Sequence, residues 1–250
     1  MHKTRKLVIF GIEDFAEIAY EYFTNDSAFD VVAFTVERTY LPAGKVRKFG
    51  LPVLAFEDLD RILPPADHDF FAAVVYAELN RMRERICQRA RRMGYRLASH
   101  VSSQAFVSPS AALGEHCFIF ENNSVQPFSS VGDNVVLWCG NQISHHAQIG
   151  SHCFLSGGVA VGGWSTVGDH CFLGLNATLA NNTDLGEGSW VSHGATLSKT
   201  VPPASFVKAG SSVVTPLDEA RLAVALRRAS QARKRHGVPP GLDPENDPAA

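Results

Sequence analysis

The chain has 250 residues, 45% of them hydrophobic and 19% charged, with a formal net charge of −2 at pH 7. These values are ordinary for a globular protein, and they provide no overall positive field for nucleic acid or an anionic membrane. The apolar run after the basic start covers only residues 7–10, too few for a signal peptide or a membrane span. The 5 cysteines show no paired spacing, which argues against a disulfide framework, so we expect a cytoplasmic protein.

Residues 1–98 predict an α/β domain of Rossmann type. Strands are predicted at 7–10, 31–36 and 70–76, and helices at 13–23 and 78–93. In such a parallel sheet the ligand binds beyond the carboxyl ends of the strands. The candidate substrate-binding residues at those ends are Gly11, Glu13, Asp14, Glu37 and Arg38. The first turn has one glycine and two acids where a dinucleotide fingerprint needs G-x-G-x-x-G, which disfavours a dinucleotide and leaves a mononucleotide open.

A repeat with a period of six occupies the next segment. An aliphatic residue falls at every sixth position from Val101 to Leu197, the residue four positions later is mostly small, and the residue directly after the aliphatic is often glycine. Each hexad then forms one short strand and a corner, and three hexads close one coil, so that equivalent positions of successive coils stack in parallel. The pattern predicts an all-β parallel helix over residues 99–215. Residues 216–236 predict a C-terminal helix, with acids at its start and bases towards its end, and residues 237–250 predict a disordered tail.

Three histidines share one corner of the predicted β-helix. His116, His152 and His170 each lie in a G-x-H-C segment, and whole numbers of coils separate them, so we expect exposed corner residues. The cysteines that follow them, Cys117, Cys153 and Cys171, are expected to be small inward filler. Trimeric carbonic anhydrases of the hexapeptide fold hold zinc with histidines, two of them five positions apart. No histidine pair here has that spacing, so no metal is predicted.

A different pair of histidines, His145 and His146, is not repeated in this way. The residues one coil away are Pro127 and Gly163 for the first and Phe128 and Trp164 for the second. The expectation is therefore that the fold accounts for neither histidine. Both are exposed surface residues, or His145 is a general base and His146 supports it or contacts a sugar phosphate.

A βαβ series followed by a hexapeptide helix resembles the NeuD/PglD-type sugar acyltransferases, which belong to the hexapeptide-repeat, left-handed β-helix acyltransferases. The segment His145 to Gly150, HHAQIG, is similar to the family motif H-[D/E]-x-x-I-G, and it departs from that motif by a histidine in place of the acid. The resemblance implies a left-handed helix and a homotrimer with sites between neighbouring prisms. It also implies acetyl-CoA as co-substrate and an N-terminal domain that binds a nucleotide-linked sugar.

The same resemblance assigns roles to individual residues. His145 takes the position of the base, Gly163 that of an N–H donor to the thioester oxygen, and His146 supports them. The implied CoA contacts are Gly163, Trp164, Leu175 and Asp184, with Lys199 and Lys208 near the phosphates, and the candidate sugar contacts are Trp138 and Asn141. Either Trp138 or Trp164 is equally compatible with packing between subunits.

The predicted activity is transfer of acetyl from acetyl-CoA to the amino group of a nucleotide-linked amino deoxy sugar. Direct attack is expected, since no cysteine or serine nucleophile shares the predicted site. Three alternatives stay open: O-acetylation of a sugar such as sialic acid, transfer of another acyl group, including from an acyl carrier protein, and a non-catalytic sugar-nucleotide-binding protein.

Overall fold

A computed structural model describes residues 3–41, 43–44 and 46–210 of the chain. The predicted C-terminal helix, the predicted tail and residues 211–215 of the predicted β-helix lie outside the described residues. Residues 1–210 belong to one compact unit. The boundary expected at residue 98 separates two kinds of secondary structure within that unit, and its status as a domain boundary stays a prediction.

The first hundred residues form a mostly parallel sheet with helices. The elements are β1 (Arg5–Phe10), α1 (Asp14–Asn25), β2 (Phe29–Val36), a 3₁₀ turn (Arg38–Tyr40), β3 (Arg47–Lys48), β4 (Leu51–Ala55), a second 3₁₀ turn (Phe56–Asp58), α2 (Leu59–Ile62), β5 (His68–Ala72), α3 (Arg81–Arg92) and β6 (Arg96–Leu97). The strand order is β3-β4-β2-β1-β5-β6. Only the β3–β4 pair is antiparallel, and the strand order reverses direction between β1 and β5.

Three boundaries differ from those that the sequence predicts. Strand β5 ends at Ala72 and not at residue 76, because the Val74 N–H donates back to the carbonyl of Ala72 at 2.9 Å. Helix α3 begins at Arg81 and not at residue 78, because residues 78–80 all have positive φ. Strand β4 is not predicted, since its proline cannot donate to a sheet and marks the segment as a poor strand.

Residues 100–207 form the predicted parallel β-helix, with two-residue strands on three faces. Face 1 contains β7 (His100–Val101), β10 (Phe118–Ile119), β13 (Val136–Leu137), β16 (Phe154–Leu155), β19 (Phe172–Leu173), β22 (Trp190–Val191) and β24 (Phe206–Val207). Face 2 contains β8 (Phe106–Val107), β11 (Ser124–Val125), β14 (Gln142–Ile143), β17 (Ala160–Val161), β20 (Thr178–Leu179) and β23 (Thr196–Leu197). Face 3 contains β9 (Ala112–Leu113), β12 (Ser130–Val131), β15 (Gln148–Ile149), β18 (Thr166–Val167) and β21 (Asp184–Leu185).

The strand register confirms a coil of three hexads, since Ile119 pairs with Leu137 and Leu137 pairs with Leu155. The aliphatic members of the hexads from Val107 to Leu197 belong to or pack against a core of buried residues that also includes Cys117, Cys153 and Cys171, whereas Val101 at the end of the helix is exposed. Burial raises the pKa of Cys117 to about 11. Burial likewise raises the pKa of Cys153 well above its ordinary value. All three cysteines are core filler, as expected. The left-handed sense of the helix stays a prediction from the family resemblance.

The corners of the β-helix share one backbone conformation. The residue three positions after the aliphatic has positive φ in every hexad from His116 to Gly194. Its occupants are His116, Asn122, Phe128, Asn134, Gly140, His146, His152, Gly158, Trp164, His170, Asn176, Asn182, Gly188 and Gly194. Glycine, asparagine and histidine dominate because they tolerate the left-handed region better than most residues.

The α/β segment packs against face 1 and the corner between faces 3 and 1. Phe15 and Phe23 of α1 contact Phe118, with ring centroids 5.6 and 5.7 Å apart. The fully buried Arg83 of α3 donates to the carbonyls of Val74, Val75, Asn134 and Cys153 and to the Asn134 side chain, at 2.9–3.2 Å. A guanidinium has five N–H donors, and all of them are satisfied here. This arginine therefore joins the sheet, its helix and two coils of the β-helix.

Candidate active site

The candidate site lies at the corner between faces 2 and 3, here called the His145 corner. Strand β14 on face 2 leads into this corner and β15 on face 3 leaves it. Two columns, each with one residue per coil, line it. The first column is Pro127, His145, Gly163, Asn181 and Lys199, and the second is Phe128, His146, Trp164 and Asn182.

The imidazole of His145 is exposed and lies directly against Gly163. A Cβ atom built on Gly163 comes within 2.8 Å of His145 Cε1 and 3.0 Å of Nε2. The His145 backbone N–H donates to the Gln126 amide oxygen at 3.1 Å, which holds the turn. Gly163 is therefore needed at this position because any side chain would displace the ring.

The Gly163 N–H itself already has a partner. It donates to the Asn181 side-chain oxygen of the next coil at 2.8 Å. The Asn181 side chain is exposed, and the predicted donation from Gly163 to a thioester oxygen requires that this side chain turn away. The sequence does not single out Asn181, although the length of one coil places it in the same column.

The imidazole of His146 is held from both sides. It stacks on Trp164 with centroids 4.0 Å apart and planes 12° apart, and its centroid lies 5.1 Å from that of Phe128. Its Nδ1 lies 3.1 Å from the Nδ1 of His145. The expectation that the fold accounts for neither histidine is wrong for His146, because this residue has φ 58° and occupies the left-handed corner position.

A second candidate site is a cavity of about 570 Å³ at the carboxyl ends of the strands. That volume is typical of a pocket for a small ligand. The predicted residues Gly11, Glu13, Asp14 and Glu37 line it, together with residues that the sequence does not single out, Tyr40, Val75 and Met82. Glu37 accepts a hydrogen bond from Arg89 at 3.1 Å, so one of the carboxylates is already compensated. The cavity is consistent with the strand-end site expected for a sheet of this order.

Three predicted substrate contacts are corrected by the structure. Arg38 does not line the cavity, since its guanidinium pairs with Asp58 at 2.6 Å. Asn141 is 1% exposed, and its amide donates to the Trp138 carbonyl and accepts from the Val159 N–H, so its side chain is engaged inside the prism and is not accessible to a sugar. Trp138 packs against Phe15 and Phe120 next to α1, at a different part of the prism from the His145 corner.

The residues expected to contact CoA separate into two groups. Trp164, Gly163 and Lys199 lie at the His145 corner, and Asp184 begins β21 immediately after it. Leu175 and Lys208 follow strands of face 1, so they lie at the corner between faces 1 and 2. The structure therefore does not bring all six residues together on one chain.

The corner between faces 3 and 1 carries a chain of ordered hydrogen bonds. The Ala72 N–H donates to His116 Nε2 at 2.9 Å, so Nδ1 carries the proton and donates to the Asn134 side-chain oxygen at 2.8 Å. The prediction of an exposed corner residue is wrong for His116, which is 1% exposed because α3 and β5 cover it. Burial lowers its pKa to about 3, so His116 is neutral at pH 7.

The same chain of hydrogen bonds continues to a cluster of Glu84, His152 and His170, whose potential ligand atoms lie within 4.8 Å of one another. Asn134 is oriented by Arg83 and donates to His152 Nδ1 at 2.9 Å, which leaves the proton of His152 on Nε2, the atom that faces Glu84. The rings of His152 and His170 are also stacked, with planes 24° apart. The nitrogen lone pairs of two stacked rings do not converge on one point. This geometry favours a hydrogen bond between His170 Nε2 and the Glu84 carboxylate, at 2.9 Å, over a metal site.

No helix within the described residues is both long enough and apolar enough to cross a membrane. No family model and no curated protein matches the chain. Solved structures do match. The acetyltransferase domain of PglB from Neisseria gonorrhoeae is 23% identical with a TM-score of 0.72, covering 81% of this chain and 96% of that one.

Two further solved structures have the same architecture. PerB, the GDP-perosamine N-acetyltransferase of Caulobacter crescentus, is 24% identical with a TM-score of 0.70, covering 80% of this chain and 92% of that one. WeeI from Acinetobacter baumannii is 19% identical with a TM-score of 0.50 and similar coverage, 81% and 96%. At these identities the likeness establishes the fold, an α/β segment followed by a parallel β-helix.

Proposed function

We propose that this protein is an acetyl-CoA-dependent sugar N-acetyltransferase of the NeuD/PglD type, with a nucleotide-linked amino sugar as acceptor. The shared fold supports the proposal, because one of the solved structures is the PglB domain in complex with acetyl coenzyme A. Another is PerB in complex with CoA and GDP-perosamine. Variants of that enzyme in which a histidine is replaced by alanine or asparagine also bind CoA and GDP-perosamine.

The observation that carries the proposal is the exposed His145 ring packed over Gly163 at a corner of the β-helix. An amine that attacks a thioester carbonyl must lose a proton, and the Nε2 atom of His145 is the accepting atom we assign. The amine nitrogen adds to the thioester carbon and gives its proton to His145, and the tetrahedral intermediate then collapses with cleavage of the C–S bond. The CoA thiolate leaves and takes up the proton that His145 accepted. The oxyanion of the tetrahedral intermediate is assigned to the Gly163 N–H, with Asn181 turned away.

Donor and acceptor bind at separate places on one chain. The strand-end cavity belongs to the α/β segment, which covers face 1, whereas His145 lies at the opposite corner of the prism, between faces 2 and 3. One chain alone therefore does not bring the nucleotide end of a sugar substrate to His145. We propose a homotrimer in which the cavity of one protomer faces the His145 corner of the next.

The donor is assigned to the surface of the His145 corner. Gly163 and Trp164 lie beside the base, and Lys199 lies two coils beyond Gly163 in the same column, where its ammonium is suited to a CoA phosphate. Asp184 adjoins this surface. Leu175 and Lys208 lie at the corner between faces 1 and 2, and we assign them to contacts that a second protomer makes with the same CoA molecule. A cytoplasmic location fits donor and acceptor alike and stays a prediction.

The test uses the full chain with acetyl-CoA and a panel of UDP-, dTDP- and GDP-linked amino sugars and their hydroxy counterparts, with thiol release as the readout. We expect turnover with an amino sugar and a fall of about 10²- to 10⁴-fold in kcat for His145→Asn. A control is Glu187→Gln, an exposed side chain at the corner between faces 3 and 1, away from both corners assigned to the donor. Near-normal turnover of a folded His145→Asn protein would overturn the base assignment, and release only with hydroxy sugars would replace N- by O-acetylation. Light scattering measures the oligomeric state in the same samples.

A further inference from the structure

The Nδ1 atoms of His145 and His146 lie within hydrogen-bonding distance of each other. A hydrogen bond between them needs one proton, on the Nδ1 of one ring or of the other. The two Nδ1 atoms are 3.1 Å apart and the ring planes are 83° apart. We propose that His146 is a positioning residue whose Nδ1 lone pair accepts the Nδ1–H of His145, and that it replaces the acid found at this place in the family motif. The inference rests on the proposed function, because it concerns the tautomer of the proposed base.

The direction of this hydrogen bond determines whether His145 is able to act. If the Nδ1 of His145 carries the proton, its Nε2 has a free lone pair and accepts the proton of the attacking amine. If the proton belongs to His146 instead, the His145 proton moves to Nε2 and the ring is no base. Once His145 is protonated on both nitrogens, it must be the donor of this bond, and the bond then becomes charge-assisted. The contact therefore stabilises the protonated base that forms during the reaction.

The aromatic neighbours fix the plane of the accepting ring. Phe128, His146 and Trp164 occupy the same corner position in three successive coils, and all three have φ between 58° and 62°. The shared conformation places their rings in one stack, with His146 in the middle. The stack fixes the plane of the His146 ring, and in that plane its Nδ1 lies 3.1 Å from the Nδ1 of His145.

A neutral acceptor such as His146 and an acid differ in the charge that they place beside the His145 ring. Within the described residues, neither ring has an ion pair or a hydrogen bond to a charged side chain. The rings contact Phe128, Gly163 and Trp164, and the Gln126 amide accepts only from the His145 backbone N–H. Protons on both rings at once would put like charges 3.1 Å apart, which is unfavourable. A carboxylate in place of His146 would instead put an anion beside the protonated His145 ring, which is favourable.

The test compares three replacements in the full chain, all of a type already found at left-handed corners of this protein or tolerated there. His146→Phe keeps a ring in the stack and removes Nδ1. His146→Asn keeps a neutral acceptor, and His146→Asp restores an acid. The pH dependence of kcat/KM is measured for thiol release, together with the ¹⁵N resonances of the His145 ring in protein labelled on histidine. Asn122→Phe, at a corner away from the site, is the matched control for the added ring.

We expect His146→Phe to lower kcat about 10- to 100-fold with little change in the KM for acetyl-CoA, the usual effect of losing a group that orients a functional ring. His146→Asn should retain turnover within about threefold, and His146→Asp should move the acidic limb of the profile to higher pH, because a carboxylate favours the protonated ring. The ¹⁵N spectrum should show a bare Nε2 in the natural protein and mixed tautomers in His146→Phe.

Two results overturn the inference while the proposed function stands. One is normal kcat in His146→Phe although His145→Asn is inactive. The other is a His145 Nε2 that carries the proton in the natural protein. Absence of thiol release with every acceptor counts against the proposed function instead, and the ¹⁵N measurement then still decides the direction of the hydrogen bond.

Discussion

Acidification should destabilise this fold through two buried neutral histidines. His116 is enclosed by α3 and β5, where it accepts from the Ala72 N–H and donates to Asn134. His100 is 2% exposed and packs among Tyr22, Phe23 and Phe118. Burial lowers the pKa of His116 to about 3 and that of His100 to about 4, from an ordinary value of 6.5.

The size of the effect follows from proton linkage. Because each folded-state pKa lies below the unfolded value, the unfolded chain binds protons first as the pH falls. The stability is fully present above pH 6.5 and is lost as the pH falls towards 4 and 3. Between about pH 7.5 and about pH 5, each histidine should cost about 2 kcal/mol, since one pH unit below the unfolded pKa corresponds to about 1.4 kcal/mol per proton. The two together should cost about 4 kcal/mol, a large part of the free energy of unfolding of an ordinary domain.

Urea unfolding of the full chain at several pH values between about 5 and 7.5 measures this slope, in a range above the titration of most carboxylates. His116→Asn, a residue tolerated at these corners, and His100→Phe should each remove about half of the slope, although they also lower stability at neutral pH. His193→Asn, which replaces an exposed histidine, is the control and should leave the dependence of stability on pH unchanged. Stability that does not vary over this range, or an unaltered slope in both variants, would refute the reasoning.

Three other substitutions test the site and the fold. Gly163→Ala should lower kcat about 100-fold with little change in Tm, because the new Cβ, 2.8 Å from His145 Cε1, displaces the ring by most of an ångström; unchanged kcat would contradict the assigned geometry. Arg83→Met should cost about 3–5 kcal/mol in urea unfolding, because buried carbonyls lose their donors, and a cost under about 1 kcal/mol would argue against its role. Gly11→Ala, with φ 111° and a Cβ 2.9 Å from the Ala73 carbonyl, should cost about 2 kcal/mol or more, and the same unfolding measurement checks it.

Much of the β-helix could be predicted because its pattern is local. A strict hexad repeat fixes which side chain points inward, and the observed pairing of Val125 with Ile143 follows directly from it. The packing of the α/β segment on face 1 could not be predicted in this way. Phe118 and Phe154 point outward from their strands, and the covering α/β segment explains why such large residues are buried there: α1 covers Phe118, and Tyr76 of the loop before α3 contacts Phe154. That packing buries His116 and places Asn134 and Arg83 in one network, which no spacing within the repeat indicates.

The pair of histidines at the candidate site shows how the choice of period affects a prediction. Comparison of whole coils isolates both His145 and His146, since neither recurs in its column. Comparison of single hexads places His146 with His116, His152 and His170, all at the left-handed corner where histidine is one of the tolerated residues. His145, one position earlier in the hexad, has no such conformational requirement, and its exposed ring against Gly163 is the feature that the fold leaves unexplained. A corner that holds His146 for backbone reasons also fixes its ring beside His145, so the repeat itself supplies the geometry that the proposed base requires.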